Sequence, residues 1–174
     1  NPTIRLQYIR ALRQAGTTSQ ARREAEQFCQ AFPQAGAGYI ELALLQMNNQ
    51  GQPPRSALDN IRRALSLPMT HQDYLVTAHL VLGHHTIQVE KFAEAVDHLS
   101  YAIEVSRGLP GESQTKLVEM AQAYYLRAMA YHRLAQKGLA LADIDQAIEM
   151  AKRCGREPML KSYQTFKLSL TSTP

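Results

Sequence analysis

Tryptophan is absent, cysteine is nearly so, and no apolar run approaches the ~18 residues that a membrane-spanning helix needs. The two cysteines, Cys29 and Cys154, stand near opposite ends of the chain. A disulfide needs Cα atoms within ~7 Å, so both are expected as small buried hydrophobes that leave the redox compartment undecided. Charged residues make up 20% of the chain against 45% hydrophobic, a balance that excludes both disorder and membrane insertion and fits a soluble protein of the cytoplasm or periplasm. A charged leader followed by an apolar run is missing too, and so is an initiator Met, since the chain opens on Asn1 and Pro2. That opening is the expectation for a processed chain or for a segment of a longer protein.

Catalytic signatures are lacking as well. There is no Gly-rich phosphate loop, no nucleophile elbow and no His-Glu-x-x-His, so this segment is not expected to be an enzyme. Acidic pairs such as Asp143 and Asp145, or Glu90 and Glu94, read as solvated helix faces. Among the histidines, His84 and His85 are adjacent and diverge by ~100° on a helix, while His79, His98 and His132 have no His or Cys partner one turn away. Neither a metal nor a cofactor is expected. The net charge of +4 is distributed in blocks, with eight Lys or Arg against four Asp or Glu in residues 1–70, three against seven in 71–120 and eight against four in 121–174. A nucleic-acid binder more often carries one basic stripe with interleaved aromatics, so nucleic acid is not an expected partner.

What the chain has is a repeated pattern. From His79 to Ala102 it runs His79, Leu82, Gly83, Thr86, then Ala95, Leu99 and Ala102. Ala43 and Ala128 share an offset with Gly83, and Ala57 and Ala140 share one with Ala95. Ala43 follows Ile9 by 34 residues, whereas Gly83 and Ala128 are 45 apart. The surplus fits the loop around Gly108, Pro110 and Gly111 plus about two extra helical turns, which predicts a joint at 107–113. Gly16 predicts a helix stop, Thr17 to Ser19 the next cap, and Thr70 with Asp73 a further capping box. Asn49 to Pro54 predicts a bulging turn.

Tyr124, Ala128, Tyr131, Ala140, Ile144 and Ala147 bring the pattern close to the tetratricopeptide repeat, and the resemblance covers most of the chain. It departs from the family at Arg127, where Leu is usual, and at Gln46 and Thr86, where an aromatic is usual. The resemblance implies an all-α solenoid, a right-handed superhelix of about four hairpins over 3–33, 36–68, 71–106 and 114–153, capped by a helix over 158–170, as a single domain. It also implies a concave groove lined by the first helix of each hairpin.

Carried over position by position, that groove holds Leu6, Arg10 and Arg13, then Ile40, Leu44, Met47 and Asn48, then Leu80, His84 and Ile87, and last Tyr125, Met129, His132 and Arg133. The Lys and Asn that clamp a partner's C-terminal carboxylate elsewhere in the family are replaced by Leu6 and Arg10. The implied function is a protein-interaction scaffold that binds an extended or helical peptide by apolar anchors, held in place by polar contacts at Arg10, Arg13, His84, His132 and Arg133. Two alternatives stand beside it. The chain could be the regulatory or substrate-positioning module of a larger enzyme or transcription regulator, or its apolar positions could be covered by the last helix or by a second copy. The Gln-rich, Lys-poor surface and the missing clamp favour a bacterial source.

Overall fold

The computed structural model describes residues 1–47, 53–69 and 71–172. Within them the chain forms nine α-helices and no strand: α1 (Pro2–Gln14), α2 (Thr18–Ala31), α3 (Gly36–Gln46), α4 (Arg55–Leu65), α5 (Gln72–Gln88), α6 (Phe92–Gly108), α7 (Gln114–Arg133), α8 (Lys137–Arg153) and α9 (Glu157–Ser172). They divide into two compact units, residues 1–78 and 79–174, and the division falls inside α5. No described helix is long and apolar enough to cross a membrane. The expected cap at Thr70, the groove position Asn48 and the turn residues Asn49–Gly51 lie outside the described residues.

Unit 1 pairs α1 with α2 and α3 with α4. Asn1 caps α1 by accepting from the Thr3 N–H at 3.0 Å, and Pro2 starts the helix where its missing N–H is harmless. Gly16 ends the hairpin turn at φ +78°, a conformation that a Cβ would penalise. Thr17 stands at the α2 cap, but its hydroxyl donates back to the Leu12 carbonyl at 2.9 Å instead of accepting from α2. The repeat pattern explains the packing. Ala43 and Ala57 are fully buried, and a Cβ on Gly38 would lie 2.5 Å from the Phe28 ring, so α3 can approach α2 only because that atom is missing.

Unit 2 obeys the same rule. Ala95, Ala128 and Ala140 are fully buried, as are Leu99 and Ile144, and a Cβ on Gly83 would lie 2.6 Å from Leu99 Cγ. Arg127, the departure from the family's Leu, is accommodated by charge. It grips Asp143 of α8 with two bonds of 2.6 and 2.8 Å and reaches Ser100 of α6 at 2.9 Å. Asp143 is therefore buried, which corrects the reading of this carboxylate as part of a solvated face. Asp145 is exposed and pairs with Lys167 of α9 at 2.6 Å. The segment between α6 and α7 lies within unit 2 and is tied down. Lys116 donates to the carbonyls of Leu109 (2.6 Å) and Gly111 (3.0 Å), and Arg153 of α8 pairs with Glu112. Cys29 and Cys154 are buried free thiols, and burial pushes the Cys29 thiol up to about 11.

Candidate interaction surface

The groove positions of unit 1 divide by chemistry. Ile40 is fully buried, Leu6 is nearly so, and Leu44 and Met47 are half-buried on α3 and just past its end. Leu6 also lines an apolar recess of about 570 Å³ together with Phe32, Pro33, Gly36, Ala37 and Pro68. Arg10 and Arg13, one turn apart on α1, both turn to one carboxylate. Glu41 of α3 has no exposed surface, and it accepts from Arg10 Nε at 3.3 Å, from Arg13 Nε at 2.8 Å and from the Tyr74 hydroxyl at 2.8 Å. A carboxylate buried this completely is tolerable only with such partners.

Arg10 continues the network to Asp73 at 2.9 Å and lies over the Tyr74 ring at 4.6 Å. Burial works against the charge on Arg10, but the bond to Asp73 and the fields of Tyr74 and Glu41 outweigh it and hold the guanidinium firmly protonated. Burial first, and Glu41 second, push the Tyr74 phenol far above its ordinary range. Two arginines thus meet two carboxylates, and neither cation is left over for a ligand anion. Sequence reasoning found the arginines and missed Glu41, Asp73 and Tyr74. The signal was present: Glu41 is the only charged residue in α3, with Ile40 and Leu42 on either side.

Unit 2 offers a different surface. On α5, Leu80 is buried, Ile87 half-buried and His84 exposed. On α7, Tyr125 and Met129 are half-buried and His132 and Arg133 exposed. Helix α9 supplies partners for two of them. Tyr125 stacks on Tyr163 with centroids 4.5 Å apart and meets the Phe166 edge at 5.5 Å, and His132 approaches Phe166 at 6.1 Å. Burial, then Tyr125 and Cys154, raise the Tyr163 phenol far above its ordinary range. Arg133 lies over the Phe92 ring at 4.5 Å and pairs with Glu90 at 3.4 Å. His84 is exposed and Ile87 and Met129 are half-buried, so together they present apolar and hydrogen-bonding surface. Among the described residues no group of three or more His, Cys, Asp or Glu side chains could hold a metal.

Comparison with known proteins adds two findings. Residues 2–45 match the tetratricopeptide repeat family. A solved structure of MamA resembles the chain at a TM-score of 0.60 and 16% identity, covering 98% of this chain and 86% of that one. Another structure of MamA resembles it at 0.57 and 16%, covering 92% of each. At such identities the likeness speaks for the fold alone, an all-α helical repeat. No curated protein matches in sequence. The tetratricopeptide repeat match is confined to residues 2–45, and the chain as a whole shares an all-α helical-repeat fold with the two MamA structures.

Proposed function

We propose that the chain binds a protein partner through the groove positions of its first-of-pair helices, with an extended or helical peptide segment as the bound element. The repeat fold supports a protein-interaction module in general. The observation that carries the finer reading is chemical: the positions left partly open in unit 2 are His84, Ile87 and Met129, two of them apolar. Partly exposed Ile and Met on a rigid helix favour an apolar anchor, and the flexible thioether of Met129 adapts to varied side chains. In unit 1 the counterparts are Leu44 and Met47, beside a charge network that is already neutral within itself.

The test is a peptide array probed with the intact chain and with a triple variant, His84→Ala, Ile87→Ala and Met129→Ala. These residues are outside the buried core, so the helical circular dichroism should be retained. Loss of one anchoring contact typically exceeds 1 kcal/mol, and the triple change should weaken the best peptides by about tenfold or more. Unchanged binding by a folded variant would remove these residues from the surface. Light scattering of the same samples reads whether a second copy is the occupant, since self-association would then fall with the same substitutions.

A further inference from the structure

Unit 2 also holds a contact between two histidines that lies outside the interaction surface. His79 of α5 and His98 of α6 face each other with Nδ1 atoms 3.1 Å apart and ring centroids 5.2 Å apart. The centroid separation is close to the nitrogen separation plus the two ring radii, so the nitrogens meet head-on. Two ligands of a shared cation would instead converge on it at an angle, and the geometry is that of a hydrogen bond. One Nδ1–H donates and the other Nδ1 accepts, which requires opposite tautomers in the two rings.

The surroundings are specific. Tyr101 of α6 packs against His79 with centroids 4.3 Å apart and the rings tilted by 38°. Glu94 brings a carboxylate oxygen to 3.9 Å from His98 Nε2 and is itself paired with Lys91 at 3.3 Å. Asp97 of α6 adds a second negative field on His98. His79 lies in no such field, and the group acting on it is His98.

We propose that the His79–His98 contact is an acid-opened clasp between α5 and α6, closed while one of the two facing Nδ1 atoms carries a proton and open when both do. Proton accounting gives two steps. With His98 as donor, the first added proton enters its Nε2, opposite Glu94, and the resulting imidazolium still donates through Nδ1–H to His79. The second proton needs the His79 Nδ1 lone pair, which is the acceptor, so the N–H···N bond is lost and two cations face each other.

Burial, then His98, lower the His79 imidazole from its ordinary 6.5 to about 4, and burial lowers His98 against the pull of Glu94 and Asp97. The unfolded chain therefore binds more protons than the folded one between these values. Stability is complete above the ordinary histidine range and falls as pH drops from about 6.5 toward about 4.

The experiment follows the histidine ring nitrogens of the intact chain by NMR from neutral to acidic pH, with denaturant midpoints measured over the same range. The expected result is opposite tautomers for His79 and His98 at neutral pH, and a falling midpoint on acidification. The variant His98→Gln supplies an amide oxygen that accepts from a protonated His79. It should move the His79 titration back toward its ordinary value by about tenfold or more in proton concentration, with a smaller loss of midpoint. His79→Phe keeps a ring against Tyr101 without a titrating group and should flatten the same loss. Identical tautomers in the two rings would overturn the clasp, and so would a His79 titration unmoved by His98→Gln or an acid loss unchanged in His79→Phe.

Discussion

Each unit of this chain buries one carboxylate under an arginine, and the two do it at different addresses. In unit 1 the acid is Glu41, on α3, and its arginines, Arg10 and Arg13, occupy groove positions of α1 and stay about a third exposed. In unit 2 the acid is Asp143, on a second-of-pair helix, and Arg127 holds it from inside the α6, α7 and α8 packing with Ser100 as a third anchor. The same chemistry therefore occupies two of the expected groove positions in unit 1 and none of them in unit 2. A charged residue at a groove position says nothing about ligand binding until its partner is known.

That contrast can be broken from either side. The largest effect is expected in unit 2: Arg127→Leu, the family's own residue, leaves Asp143 buried without a partner and should destabilise the chain by about 3–5 kcal/mol in denaturant unfolding. Adding Asp143→Leu should recover most of that loss, because a packed apolar pair replaces a buried ionic one. Next comes Leu99→Ala, which empties the space against Gly83 and should cost about 2–5 kcal/mol. A denaturation midpoint equal to the parent's would contradict the helix contact. Arg13→Ala in unit 1 should cost less, about 1–3 kcal/mol, since Glu41 keeps Arg10 and Tyr74. If it cost as much as Arg127→Leu, the two carboxylates would be equivalent and the comparison would fail. Smallest is Ala135→Gly. Ala135 ends α7 at φ +58°, where glycine sits without strain, and the change should stabilise by up to about 1 kcal/mol.

The part of this structure that was legible in the sequence is the part governed by period. Gly83, Ala43 and Ala128, and separately Ala57, Ala95 and Ala140, are buried contact points because small residues at a fixed offset let helices approach. The stop at Gly16 follows from local backbone chemistry in the same way. What depends on tertiary coincidence was not legible. Arg10 and Arg13 read as free polar contacts because their partner lies 31 and 28 residues away, on another helix. Asp143 read as solvated because its neighbours in sequence are ordinary helix residues, and only Arg127 makes its burial possible. Covering of apolar positions by the last helix was one of the alternatives and holds at Tyr125, but that Tyr163 and Phe166 would be the rings to meet it was not legible.

The close approach of Gly83 to Leu99 has a consequence for how this sequence can drift. Any side chain at position 83 collides with the branch point of Leu99, so the first step away from glycine is tolerated only after position 99 has become smaller. A smaller residue at 99 in turn leaves a void that only a larger residue at 83 can refill. The two positions are therefore bound to change together, in that order, and homologues of this chain should show them as a correlated pair in which side-chain volume is exchanged across the helix contact.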